Sequence, residues 1–95
     1  MPKAYVIFTE AIKDQAGMDA YGQAAASAMS GDLQLLAFDS QPQTLEGEWH
    51  GDRTVVLEFP SVEAARAWYE SAEYQKAKAL RQAAADTNAV IISGL

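Results

Sequence analysis

A carboxylate interrupts the most strand-like run of the sequence. Glu58 stands within residues 55–59 (VVLEF), where an apolar residue would be expected. Burial of this group without a cation would favour its protonated form near neutral pH, which suits a general acid or base. A structural ion pair with Arg53, Arg66 or Arg81, or a side chain that points to the rim of the sheet, would account for the same residue. Glu58 is therefore a candidate catalytic residue with a structural alternative.

The single histidine of the chain, His50, follows Glu46 and Glu48 at alternating positions. In an extended segment these three side chains would share one face. Imidazole and carboxylate groups can together bind a divalent metal, although this spacing matches no established metal motif and a histidine in a polar turn is commonly solvated. We treat His50 as a candidate catalytic residue and Glu46 as a candidate ligand-binding residue. The sequence predicts no metal site and no cofactor.

Arg81 interrupts the apolar face of the last predicted helix. Its guanidinium could bind a substrate carboxylate through two parallel hydrogen bonds, or it could anchor Glu58 or the junction of helix and strand at Asp86. Trp68, Tyr69 and Tyr74 precede it at helical spacing, which is typical both of a protein core and of an aromatic pocket. Arg81 is thus a candidate catalytic residue, and the three aromatic residues are candidate ligand-binding residues.

The pattern of apolar residues predicts the order strand, helix, strand, strand, helix, strand. The predicted strands cover residues 4–9, 33–38, 53–59 and 88–93, with 44–49 extending the second, and the predicted helices cover residues 14–30 and 62–85, with a break near residue 71. Ser61 and Ser71 are expected as N-caps, and residues 50–52 as a hairpin turn. Two right-handed crossovers put both helices on one face of a four-stranded antiparallel sheet. Residues 1–95 are thus expected to form one α+β domain of the ferredoxin-like type.

The predicted strands are apolar on both faces. Val6 and Phe8 alternate with Tyr5 and Ile7, and the same pattern recurs in the last two strands. An antiparallel sheet with one solvated face should instead alternate apolar and polar residues. Because helices on one side can cover only one apolar face, we expect a homodimer in which two sheets pack together about a two-fold axis.

Composition excludes several classes of function. The 95 residues carry 13 acidic and 7 basic side chains, a formal net charge of -6, without the clustered Lys and Arg that nucleic-acid binding needs. The chain has no cysteine, which excludes disulfides and thiolate chemistry and favours a reducing, cytoplasmic location. The N-terminal apolar run is too short for a signal peptide or a membrane span. We therefore expect a cytoplasmic protein that binds neither nucleic acid nor membrane.

Five segments carry a resemblance to a known family. They are residues 45–49 (LEGEW), 55–61 (VVLEFPS), 64–69 (AARAWY), 73–75 (EYQ) and 80–81 (LR). In these segments the chain resembles the family called domain of unknown function 1330, and the resemblance covers essentially the whole sequence. It implies a dimeric α+β barrel of ferredoxin-like subunits. The same architecture occurs in small monooxygenases, lactone isomerases and haem proteins, so the resemblance implies no single activity.

Two functional hypotheses follow. The first is a small-molecule binding protein or a cofactor-independent enzyme, monooxygenase-like or isomerase-like, with a pocket between the sheet and the helices. Glu58 and Arg81, placed among apolar and aromatic residues, motivate it. The alternative is a non-enzymatic dimeric interaction or stress-associated module, because the sequence contains no complete catalytic motif.

Overall fold

The helices and strands follow the order that the sequence predicts. The computed structural model describes residues 2–29 and 31–95. Within these ranges lie β1 (Ala4–Ile12), α1 (Gln15–Ala28), β2 (Gln34–Asp39), β3 (Arg53–Phe59), α2 (Val62–Tyr69), α3 (Ala72–Ala84) and β4 (Ala85–Ser93). The strands form one antiparallel sheet in the order β2-β3-β1-β4. This is the ferredoxin-like α+β fold, so the predicted architecture is confirmed.

Serine side chains begin α2 and α3. The Ser61 hydroxyl accepts a hydrogen bond from the backbone N–H of Ala64 at 3.1 Å, and the Ser71 hydroxyl accepts one from that of Tyr74 at 3.2 Å. Such caps satisfy backbone donors that have no partner within the helix. Both predicted caps are confirmed, and the second one lets the chain turn between α2 and α3. No helix in the described ranges combines the length and the hydropathy that crossing a membrane requires.

The face of the sheet beneath the helices holds the core. Ala4, Val6 and Phe8 of β1 are at most 1% exposed, and they lie beside Phe59 and Leu57 of β3 in the antiparallel register. Helical side chains complete this core, namely Ala28, Ala65, Tyr74 and Ala77. Tyr74 and Ala77 therefore define the face of α3 that packs on the sheet.

No helix of the described residues packs on the opposite face of the sheet, and we call it the open face. Its side chains alternate with those of the core along each strand: Tyr5, Ile7, Thr9, Thr54, Val56, Val90 and Ile92. Val90 and Ile92 are 51% and 46% exposed. The second apolar surface that the sequence predicts is therefore present, and it extends across three strands.

Residues 40–52 form a loop, and the strand predicted over residues 44–49 is wrong. The pairing of β2 with β3 ends at Asp39 and Thr54, and no strand within the described ranges pairs with residues 44–49. The loop instead lies against the open face, where Trp49 Nε1 donates a hydrogen bond to Thr54 Oγ1 at 2.8 Å.

The turn at residues 50–52 packs against the end of β1 and does not form the predicted hairpin. The Asp52 N–H donates to the backbone carbonyl of Glu10 at 2.7 Å. Gly51 has a φ of 82°, and a Cβ at this position would lie 2.4 Å from the Glu10 carbonyl carbon. Only glycine fits so close an approach in this conformation. The turn therefore fixes where β3 begins relative to β1.

Candidate functional site

A cavity of about 530 Å³, which we call the helix-side cavity, lies between α1 and the half of the sheet formed by β2 and β3. It exists because α1 packs mainly on α3 and leaves the helix-facing side of β2 uncovered, where Leu35 and Phe38 are 52% and 57% exposed. The wall is largely apolar and includes Phe8, Met18, Leu35, Phe38, Val55 and Trp68. Glu10, Tyr21 and Arg53 also line it. A cavity of this size, apolar with a few polar groups, suits a small organic molecule.

Glu10 and Arg53 form a buried ion pair in the wall of this cavity. They face each other on β1 and β3 in the antiparallel register, and Arg53 Nε donates to Glu10 Oε1 at 2.9 Å. Their side chains are 2% and 11% exposed, respectively. Removing a carboxylate from water is costly, and the guanidinium offsets part of that cost. Two apolar residues at these positions could fill the same space and keep the fold stable. The fold therefore does not require the two charges in the wall of the cavity.

The Arg53 guanidinium is held on two sides. Its Nε binds Glu10, and its Cζ lies 4.6 Å from the centroid of the Phe38 ring. No described residue accepts a hydrogen bond from its two Nη groups. These N–H groups are therefore available to an oxygen atom of a ligand.

Tyr21, Tyr74 and Arg81 form a chain of hydrogen bonds beside the cavity. Arg81 Nε donates to the Tyr74 hydroxyl at 3.3 Å, and the two tyrosine hydroxyls lie 2.9 Å apart. A guanidinium can only donate, so the Tyr74 oxygen accepts from Arg81. Between the two tyrosines, either hydroxyl can be the donor. In the arrangement in which Tyr74 donates to Tyr21, the Tyr21 proton is free for a ligand in the cavity that Tyr21 lines.

Burial raises the pKa of both tyrosines. The pKa of Tyr21 lies well above its usual range because the hydroxyl is desolvated and stands beside the Tyr74 hydroxyl. Burial also raises the pKa of Tyr74, and its hydrogen bond with Tyr21 offsets part of that rise. Both groups are therefore neutral hydrogen-bond donors at physiological pH.

We expect these tyrosines to make the fold unstable at high pH. In the unfolded chain tyrosine ionises near pH 10, whereas Tyr21 and Tyr74 keep their protons in the folded chain. The folded state then binds more protons, so the free energy of unfolding falls above pH 10 by up to about 1.4 kcal/mol per pH unit for each tyrosine. Urea unfolding from about pH 9 to pH 11 measures this slope. Tyr21→Phe should reduce it by about half, and an unchanged slope would contradict the assignment.

The predicted aromatic residues are brought together, but they lie at different depths. Trp68 lines the cavity, and its Nε1 donates to the Ala28 carbonyl at 3.2 Å. Tyr74 stacks behind it, with ring centroids 4.1 Å apart, and Tyr69 lies beyond Tyr74. Trp68 is therefore the predicted ligand-binding residue that can touch a ligand in this cavity. Binding roles for Tyr69 and Tyr74 stay predictions.

The structure separates Glu58 from the helix-side cavity. Glu58 belongs to the opposite face of β3, between Tyr5 and Gln34 of the neighbouring strands. Its side chain is 15% exposed and pairs with Lys3 at 3.2 Å. The expectation that Glu58 lies beside Arg81 and the aromatic residues is therefore wrong, as is its pairing with an arginine. The period of two along β3 places it on the face opposite to Leu57 and the core.

His50 also lies on the open face, and it contacts polar residues of two strands. Its Nδ1 lies 2.7 Å from Thr9 Oγ1, and its Nε2 lies 3.6 Å from Asp86 Oδ2. Glu46 is exposed in the loop and borders a separate hollow with Trp49. The described residues contain no group of three or more carboxylate or imidazole side chains close enough to hold a metal ion. Functional roles for His50, Glu46 and Arg81 stay predictions.

Glu10, Tyr21 and Arg53 were not among the predicted site residues. One signal for Glu10 is present in the sequence, because it continues the alternation of Val6 and Phe8 on the core face of β1. A carboxylate at such a position needs a cation on a neighbouring strand. The identity of that cation depends on the register of β1 with β3, which the sequence does not reveal.

The chain matches a family model over residues 3–95, and that family is described as domain of unknown function (DUF1330). No protein of curated function matches the sequence. Solved structures share the fold at low sequence identity. A protein of unknown function from Rhodopseudomonas palustris has a TM-score of 0.81 and 18% identity, over 99% of this chain and 83% of that chain.

Two further structures differ in what is known of them. A dimeric ferredoxin-like protein of unknown function from Thermobifida fusca has a TM-score of 0.69 and 18% identity, over 97% of this chain and 91% of that chain. SnoaB, a cofactor-independent oxygenase from Streptomyces nogalater, has a TM-score of 0.67 and 10% identity, over 100% of this chain and 95% of that chain. At these identities the likeness establishes the fold alone.

Proposed function

The chain belongs to the domain of unknown function 1330 family, and we propose that it binds a small, largely apolar carbonyl compound in the helix-side cavity and transfers a proton on it without a cofactor. The observation that carries this proposal is the buried pair of Glu10 and Arg53 in an otherwise largely apolar wall. Charged groups buried in a cleft are a common mark of functional sites.

Glu10 and Tyr21 supply the two groups that such a proton transfer needs. The Glu10 carboxylate takes a proton from a carbon beside the ligand's carbonyl group. The electron pair of that C–H bond forms a C=C bond, and the π electron pair of the carbonyl group moves to its oxygen. Tyr21 donates a hydrogen bond to this oxygen, and the Nη groups of Arg53 stabilise its negative charge. Return of the proton to the same carbon completes a hydrogen exchange. In a β,γ-unsaturated ketone its return to the γ carbon, with the C=C bond moving into conjugation, completes an isomerisation. The fold is compatible with related chemistry, since SnoaB is a cofactor-independent oxygenase.

Hydrogen exchange at the ligand tests this function. A thermal-shift screen of small aromatic and alicyclic ketones first identifies a binder. Proton NMR in D2O then measures how fast the protein exchanges the hydrogens beside its carbonyl group. We expect Glu10→Gln to slow this exchange by about 10²- to 10⁴-fold. The control Glu63→Gln, on the exposed side of α2, should leave it unchanged.

Two results would contradict the proposed function. One is that the Glu10→Gln variant exchanges these hydrogens as fast as the unaltered protein does, because the Glu10 carboxylate would then take no part in the reaction. The other is a broad screen without any binder, which would favour the non-enzymatic interaction module. Tyr21→Phe distinguishes the roles further, because it should slow exchange while the ligand still binds.

We also infer that two copies of the chain pair through the open face. Ile7 lies between Val56 and Val90 in the sheet register, so the three apolar side chains form a continuous row. A patch of this kind is rarely left in contact with water on a monomer. The dimeric ferredoxin-like protein from Thermobifida fusca supports this assembly. A cytoplasmic location and the lack of a nucleic-acid partner stay predictions.

A further inference from the structure

A second cavity, of about 340 Å³, lies between the end of α3 and β4. In contrast to the helix-side cavity, polar atoms make up most of its wall. The residues that border it include Arg81, Gln82, Asp86 and Thr87. Neither Arg81 nor Thr87 lines the helix-side cavity, so the two cavities differ in position and in chemistry.

Arg81 is buried there without a carboxylate partner. It is 3% exposed, and its hydrogen bond among the described residues runs from Nε to the Tyr74 hydroxyl. None of the ion pairs formed within the described ranges includes it. The Phe8 ring, with its centroid 5.1 Å from Cζ, and the carboxyl end of α3 offset part of the cost of burying this cation. The guanidinium nevertheless retains Nη donors that no described residue accepts.

Thr87 provides a second and independent observation. Its Oγ1 is buried and has no hydrogen-bond partner among the described residues. Thr87 lies on the helix-facing side of β4, next to Glu10 in the register. Buried hydroxyls without partners are rare, and each one calls for an explanation. A hydroxyl and a guanidinium that border one polar cavity can together bind an anion.

We propose that Arg81 and Thr87 bind the carboxylate group of a small organic acid in the cavity between α3 and β4. The planar guanidinium presents two parallel N–H groups in the geometry that a carboxylate accepts. The Thr87 hydroxyl, which is buried without a partner, donates a third hydrogen bond once the side chain turns about its Cα–Cβ bond toward the ligand. The carboxylate neutralises the unpaired charge of Arg81. Asp86 borders the cavity, but its side chain is 71% exposed and lies 3.6 Å from His50 Nε2. The Asp86 carboxylate therefore does not pair with Arg81, whose charge is available to the ligand.

NMR titration at constant ionic strength tests the site with acetate as the probe and with phosphate and chloride as comparison anions. Acetate should shift the Arg81 Nε–H and Thr87 amide signals saturably, and more tightly than either comparison anion. Thr87→Val keeps the side-chain volume and removes the hydroxyl, so it should weaken acetate binding by about tenfold. Thr44→Val, in the exposed loop, is the matched control and should bind acetate as the unaltered protein does.

Four outcomes would overturn the proposal. Shifts that do not saturate would show that acetate has no site, and equal binding by Thr87→Val and Thr44→Val would place the site elsewhere. The third is that the Asp86→Asn variant binds acetate while the unaltered protein does not. That result would mean that Asp86 forms an ion pair with Arg81 in the unaltered protein. Tighter binding of phosphate than of acetate would overturn the assignment to a carboxylate. Arg81→Lys, which keeps the charge, should bind acetate more weakly while the chain stays folded.

Discussion

Replacing Arg53 with methionine is expected to lower the free energy of unfolding by about 3–5 kcal/mol, a large share of what a small domain has. The substitution leaves the Glu10 carboxylate, now 2% exposed beside Arg53, without its cation in an apolar wall. Chemical denaturation at a fixed protein concentration measures the change, since assembly would otherwise contribute to the apparent stability.

Two comparisons make this prediction specific to the buried pair. Arg66→Met removes an exposed arginine whose pair with Glu70 is solvated, and it should cost less than about 1 kcal/mol. The double variant Glu10→Leu with Arg53→Met replaces the pair with apolar residues, and it should recover most of the lost stability. If Arg53→Met were no more damaging than Arg66→Met, the pair would not be buried as described.

Val56→Lys is expected to convert a dimer into monomers. Val56 lies in the middle of the open face beside Ile7, so in a sheet-to-sheet dimer its lysine amine would be buried without a partner. We expect dimer affinity to fall by at least about 100-fold, since burying an unpaired charge costs several kcal/mol. Sedimentation equilibrium should give twice the chain mass of 10.3 kDa for the unaltered protein and the single mass for the variant.

The matched control for this prediction is Val62→Lys. Val62 is 37% exposed at the start of α2, on the other side of the molecule from the open face, so a lysine there should leave the dimer intact. A monomeric unaltered protein at micromolar concentration would exclude the proposed assembly. Equal dissociation of both variants would show that the interface lies elsewhere.

The fold was predictable because local signals and long-range pattern agree. Ser61 and Ser71 cap helices as expected, and the apolar runs become strands. The predicted strands differ from the observed ones where contacts between distant segments determine the structure. Residues 44–49 include strand-forming residues, but no strand in the described ranges pairs with them. β4 begins earlier than predicted, at Ala85, because the long β1 pairs with it as far as Ile12.

The candidate site was less predictable because it depends on which strands are neighbours. Glu58 stood out as a carboxylate in an apolar run, yet the alternation of β3 turns it to the face opposite to the cavity, where Lys3 pairs with it. Glu10 directly follows the strand predicted over residues 4–9, yet in β1 it shares the core face with Phe8. Its pairing with Arg53 joins residues 43 positions apart, and no local pattern in the sequence encodes that contact.

The location of a bound ligand tests the central claim most directly. A ketone identified by the screen would be titrated into the 15N-labelled protein and into the Glu10→Leu, Arg53→Met double variant. We predict saturable shifts of the Arg53 Nε–H and Trp68 indole signals in the unaltered protein, and at least about tenfold weaker binding by the double variant, which loses the charge-assisted hydrogen bonds of Arg53. Equal affinity for the two proteins, or shifts confined to the open face, would contradict a ligand site at the Glu10–Arg53 pair.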